Sequence, residues 1–121
     1  GFRKLAHAVL DAILTIDEDS FIVYANPAVE RIFGWSPEQL VGDRLTSLMP
    51  PALRSAHMTG LARYLKTGDR RIPWSAVELP AIHKDGRELR VEVSFTELET
   101  ERGRHFTGIV RDVAALLDTS T

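Results

Sequence analysis

Cysteine is missing altogether from this chain of 121 residues. That absence excludes disulfides, thiolate metal sites and cysteine nucleophiles together, and leaves the redox compartment unreadable from thiol usage. Long apolar runs are absent too. No stretch approaches the about 20 residues that span a bilayer, and no secretory signal is recognisable, so a cytoplasmic location is expected. Charge of one sign is not in excess: 15 Lys and Arg stand against 17 Asp and Glu, a formal net charge of −2. Such a balance offers no broad basic face and argues against direct contact with nucleic acid. There is no Gly-x-Ser-x-Gly elbow, no phosphate loop and no dinucleotide fingerprint. No nucleophile–base constellation can be assembled from what remains, so the domain is not expected to be an enzyme.

The composition is that of an ordinary globular protein, 44% hydrophobic and 26% charged. A chain of this length suggests one domain over 1–121, able to bury roughly two thirds of its unfolded surface. The abrupt start at Gly1 and the end in "DTST" read as a piece cut from a longer protein.

Periodicity supplies the order of elements. Leu5, Val9 and Ala12 fall at helical spacing and predict a flanking helix over about 3–11. "AILTID" (12–17) and "FIVYAN" (21–26) read as strands joined by the turn "EDS". Asn26-Pro27 ends the second strand, and "PAVERIF" (27–33) places Val29, Ile32 and Phe33 on one helical face before the stop at Gly34. In "SPEQLVG" (36–42), Ser36 can cap, Pro37 suits the first turn and Gln39 completes a capping box. "LTSLM" (45–49) is expected to be one further turn. From Pro51 to Thr67 runs the longest helix, with Leu53, His57, Leu61, Tyr64 and Leu65 on one face and Arg54, Arg63 and Lys66 mostly outside it. Gly60 inside it costs about 1 kcal/mol relative to alanine.

After Gly68 the period changes. "AVELPAIH" (76–83) is a strand whose Pro80 belongs on an edge or at a bulge. "KDGR" (84–87) predicts a type I′ hairpin turn on Asp85-Gly86. In "ELRVEVSFTEL" (88–98), Leu89, Val91, Val93 and Phe95 face one way and Arg90, Glu92, Ser94 and Thr96 the other. A polar turn over 100–104 leads to a last strand over 105–113. Three consecutive antiparallel strands must cover an apolar face, and the helices are what is available to cover it. The expected class is α+β: a five-stranded antiparallel sheet with short helices and one longer helix on one face.

That order, with "YANPAVERIFGWSPEQLVG" (24–42), "KDGRELRVEVS" (84–94) and "HFTGIVRDV" (105–113), resembles the PAS sensory domain from about Leu5 to Val113. The resemblance implies a regulatory module with a core over 12–113, which holds a small molecule or only a core between sheet and helices. It implies relay through a linker, here starting at about 114–121, to an attached effector: a kinase, cyclase, phosphatase or transcription factor. The family's usual Asp-Ile-Thr at the linker is Asp112-Val113-Ala114 here. The flavin-photoreceptor branch forms an adduct on a cysteine, and this chain has none.

Within the family, "LMPPALRSAHMTGLARYL" is similar to the haem-binding, oxygen-sensing subgroup of FixL type. The resemblance puts His57 at the position of the haem ligand, Arg63 and Arg71 where cationic groups meet the propionates, and Ile72, Val93 and Phe95 on the gas-binding side. The match then breaks. Val77 stands where that subgroup has an oxygen-binding arginine, Trp74 and Ala76 replace glycines, and Phe95 replaces a smaller aliphatic. The stretch around His57 also resembles PAS domains that carry no haem. The sequence therefore leaves two readings of His57: an axial ligand to haem, or a core histidine bonded to a neighbour.

Without haem, the faces of 45–65 and 89–95, with Ile72, Trp74 and Val77, would enclose an apolar slot. A fatty-acid-like or other hydrophobic small molecule suits it, with Arg63 or Arg71 for a carboxylate. A close-packed core is the competing expectation. His7, His83 and His105 show no metal-ligand spacing, although strand pairing could bring the last two together. Asp17, Glu18 and Asp19 lack the calcium-loop spacing and read as a solvated turn. Trp35 is expected to pack at a helix junction. Phe2, Leu5, Val9, Ile109 and Leu116 are candidates for a homodimer seam formed by the N-terminal helix and the outer sheet face.

Overall fold

The computed structural model describes residues 11–70 and 72–114. The expected helix over 3–11, most of the linker over 114–121, and Phe2, Leu5, His7, Val9, Arg71 and Leu116 lie outside the described residues.

Five strands form one antiparallel sheet: β1 (Ala12–Ile16), β2 (Ile22–Ala25), β3 (Val77–Ile82), β4 (Glu88–Thr100) and β5 (Gly103–Asp112). Their order is β2-β1-β5-β4-β3, which pairs the first strand with the last at the centre. Helices α1 (Ala28–Phe33) and α2 (Pro37–Leu40), a 3-10 turn (Leu45–Leu48) and α3 (Pro51–Thr67) come between β2 and β3. The architecture is the expected α+β one, and Pro80 sits on the edge strand β3, where no second neighbour needs its missing N–H.

Local chemistry accounts for the boundaries. Asn26 bridges β1 and β2: its Oδ1 accepts from Ile13 N at 2.9 Å and its Nδ2 donates to Asp11 O at 3.0 Å. The capping box of α2 forms in full, with Gln39 N donating to Ser36 Oγ and Ser36 N to Gln39 Oε1. Gly34 closes α1 at φ +83, with the His83 imidazole so close that a Cβ there would meet its Cε1 at 2.5 Å.

One face of the sheet carries the core. Ala12, Leu14 and Ile16 of β1, Val91 and Val93 of β4, and Phe106 and Val110 of β5 are buried against Val29, Ile32, Phe33, Leu40 and Leu48. Leu89 and Phe95 share the inner face of β4 and are half-buried.

Two turns differ from expectation. At "KDGR" only Gly86 takes a positive φ, +92, and Asp85 does not, so the turn is not type I′. Gly86 N donates to His83 O and His83 N to Arg87 O, the pattern of a type I turn followed by a left-handed glycine. The expected loop over 100–104 shrinks to Glu101 and Arg102, because Thr100 pairs with Gly103 and the ladder runs to the end of the hairpin. Polarity marked that stretch as a loop, but strand ends at a sheet margin are polar as well.

Candidate functional site

The site is built by α3 and the inner face of β4 and β5. Helix α3 begins at Pro51 and ends at Thr67, capped by Gly68, which takes φ +74 and donates its N–H to Tyr64 O. None of its residues is fully buried. Leu61, Tyr64 and Leu65 rest half-buried on the core, whereas Leu53 is 39% exposed and falls off the expected face. The longest helix of the domain therefore closes the inner sheet face only partly.

His57 projects from the middle of this helix and is half-buried. Its Nε2 lies 2.8 Å from Ser20 Oγ. Burial pushes the imidazole below its usual value and favours the neutral ring. Ser20 is itself fully buried, and it holds a left-handed backbone at φ +67.

About two helical turns further on, at Tyr64, four aromatic rings meet. Trp74 lies 5.1 Å from Tyr64, 6.4 Å from Phe95 and 6.3 Å from Phe106, centroid to centroid. Tyr64 meets Phe106 edge-on at 5.9 Å. Edge-to-face pairs of this kind add stabilisation beyond the area they bury. The Arg70 guanidinium stacks 3.7 Å above the Trp74 ring. Phe95 N donates to Trp74 O at 2.8 Å and Ala76 N to Ser94 Oγ at 3.0 Å, fixing the loop to β4. Ala76 takes φ +52 there, a conformation glycine adopts without strain.

Polar contacts tie the end of α3 to the β4–β5 hairpin. The Tyr64 hydroxyl donates to Glu97 Oε1, and the carboxylate raises the phenol above its usual range. Arg104 donates from its guanidinium to Leu65 O at 2.6 Å, and its backbone N–H to Glu18 Oε2 at 3.0 Å.

The residues singled out from sequence are distributed as follows. His57, Trp74, Phe95 and Val93 line the inner face or the helix opposite it. Val77 pairs with Val93 at the start of β3. Ile72 is 46% exposed, and Arg63 is half-buried on α3. Arg70, the neighbour of Arg71, is the described cation that meets the aromatic cluster. Sequence reasoning missed Arg70 and Ser20. The one available signal for Ser20 was its place in a tight turn, which also suits a solvated serine. Ile109, named for the dimer seam, lies 43% exposed on the outer face.

His83 and His105 are not brought together. His83 sits at the β3–β4 turn, whereas His105 pairs with Leu98 towards the other end of β4. The acidic turn leaves Glu18 and Asp19 exposed, as expected, and its carboxylates also brace the backbone: Asp17 Oδ1 accepts from Asp19 N and Phe21 N, and Glu18 Oε2 from Arg104 N. Among the described residues, no group of three or more His, Asp or Glu is placed to hold a metal ion. No described helix is long and apolar enough to cross a membrane.

Haem does not fit the arrangement as it stands. Nε2 of His57 is hydrogen-bonded to Ser20, and Trp74 packs into the space between α3 and β4–β5. A porphyrin there would require that bond to break and the indole to move.

Comparison with known proteins places this geometry. A family model described as the PAS fold matches residues 7–117. The chain is 32% identical to sensor protein FixL of Bradyrhizobium diazoefficiens, across 92% of this chain and 22% of that protein. It is 26% identical to the oxygen sensor protein DosP of Escherichia coli, across 93% of this chain and 14% of that one. A crystal structure of the PAS domain of a Colwellia psychrerythraea protein superposes with a TM-score of 0.70 at 25% identity, covering 92% of this chain and 95% of that domain. The chain thus spans less than a quarter of the length of these curated relatives. With the β2-β1-β5-β4-β3 sheet, the helices on its inner face and a family match over nearly the whole length, the chain belongs to the PAS family of sensory domains.

Proposed function

We propose that this domain is the sensing part of a longer signalling protein. A small apolar molecule held between α3 and the inner face of β4 and β5 would regulate an attached effector. The observation that carries the reading is the incomplete closure of that space. The longest helix has no fully buried residue, yet it presents Leu61, Tyr64 and Leu65 to a sheet face lined by Val93, Phe95 and Phe106. Apolar surface left half-covered gains free energy, about 25 cal/mol per Å², from any ligand that completes its burial. Arg63 and Arg70 supply cations for a carboxylate at the rim. The signal would be a population shift: the ligand acts only as far as it binds one position of α3 better than another. Pairing of two copies through the outer sheet face around Ile109 belongs to the same reading, as does a cytoplasmic location.

Native mass spectrometry of the purified protein, followed by titration with dodecanoate, tests this. A co-purifying apolar mass, or a dodecanoate-dependent change in tryptophan emission that Trp74→Phe removes, is the expected result. A protein that carries nothing and ignores the probe overturns it.

A second reading is favoured by the similarity to DosP, an oxygen sensor by name, over 93% of the chain. In it His57 would ligate haem iron, which requires the imidazole to leave Ser20 and the Trp74 indole to move. Protein from haem-supplemented cells would then show a Soret band that His57→Ala abolishes. A colourless protein ends this reading and leaves the first standing.

A further inference from the structure

Ser20 combines two properties that an ordinary turn residue does not need. It is the fully buried polar residue of the described core, and it is a non-glycine residue at φ +67. That backbone costs a residue with a Cβ on the order of 1 kcal/mol or more, and glycine would occupy it freely. The side chain must therefore contribute something in return, and what it reaches is His57 Nε2 at 2.8 Å.

The surroundings fix the hydroxyl in place. Ser20 N donates to Asp17 O at 3.1 Å, and Leu45 N donates to Ser20 O at 2.9 Å. Asp17 Oδ1 in turn holds the N–H groups of Asp19 and Phe21. The turn before β2 is thus braced on both sides of the serine, with its hydroxyl aimed at the middle of α3.

We propose that Ser20 is a positioning residue that sets what the His57 imidazole can bind. It engages Nε2, withholds that nitrogen from a porphyrin iron, and ties the middle of α3 to the β1–β2 turn. An imidazole nitrogen has one in-plane site, which carries either a proton or a lone pair. The same atom cannot bond to the serine and to a metal at once. This assignment rests on the reading of the α3–sheet space as the ligand site, and it names the residue that selects among ligands there.

Titration of wild type, Ser20→Gly, His57→Ala and the double variant with hemin tests it, read by the Soret band. Glycine suits φ +67, so the fold should be kept, and matching far-ultraviolet circular dichroism checks that. Ser20→Gly is expected to ligate hemin at least about tenfold more tightly than wild type, and the gain should vanish when His57 is also replaced. Equal affinity with and without the hydroxyl overturns the assignment. So does the lack of a His57-dependent band in either protein, which would place the exclusion in the aromatic cluster. A reading on wild type alone needs no variant: nitrogen-15 NMR should show the His57 Nε2 hydrogen-bonded, and an unbonded Nε2 overturns the proposal as well. Dodecanoate uptake by wild type depends on none of these outcomes, so the two proposals fail separately.

Discussion

The hydroxyl of Ser20 lies 2.8 Å from Nε2 of His57, joining two residues 37 positions apart in the chain. Neither side chain belongs to the continuous apolar core, yet the contact connects the β1–β2 turn to the centre of α3. Removing the hydroxyl while keeping the Cβ leaves the imidazole without this partner and retains the left-handed strain. Ser20→Ala is therefore expected to lose about 1–3 kcal/mol. Ser20→Gly should lose roughly 1 kcal/mol less, because it also relieves the backbone. Urea denaturation of the two variants checks the order; alanine as stable as glycine would contradict it.

The imidazole makes stability pH-dependent. Burial holds His57 below its usual value of about 6.5. Between the folded and unfolded values the unfolded chain binds more protons, so stability rises with pH there. The contribution is fully present above about pH 6.5 and is lost as pH falls through the folded value. Urea midpoints measured from about pH 8 down to about pH 5 should fall more steeply for wild type than for His57→Gln.

Two glycines should respond in opposite directions to alanine. Gly34 has φ +83 and the His83 ring against it, so Gly34→Ala should destabilise by about 1–3 kcal/mol. Gly60 lies inside α3 with nothing within 4 Å of a built Cβ. Gly60→Ala should stabilise by about 0.5–1 kcal/mol. Thermal unfolding reads both.

Phe106 is buried at 7% exposure and meets both Tyr64 and Trp74 edge-on. Phe106→Ala should cost about 3–5 kcal/mol. It should also change the emission of Trp74, whose neighbour is removed. A Trp74 spectrum indifferent to this substitution would mean the four rings do not pack as one group in solution.

Much of the fold was legible because its signals are local. The alternation of Leu89, Val91, Val93 and Phe95 marks a half-buried strand wherever it pairs. Ser36, Pro37 and Gln39 carry their capping box within four residues. The exceptions were turns. Asp85-Gly86 fits several hairpin types, and the β4–β5 pairing, rather than polarity, decided that Thr100 and Gly103 belong to strands. The site was legible as an apolar helix face bearing a histidine, without that histidine's partner. Leu53 shares the helical period of His57 and Leu61 yet is 39% exposed, since periodicity does not say how far a helix reaches over its sheet.

By itself the sequence determined the order of the strands and helices over 12–113, the inward stripe of β4 and the absence of thiol chemistry, because these depend on composition or on residues within a few positions of one another. The tertiary structure alone decided that Nε2 of His57 meets Ser20, that Tyr64 packs against Trp74, and that Tyr64 reaches Glu97. Those pairings set a helix against a turn, a loop and a distant strand. Their geometry follows from how the pieces pack, which no local pattern records.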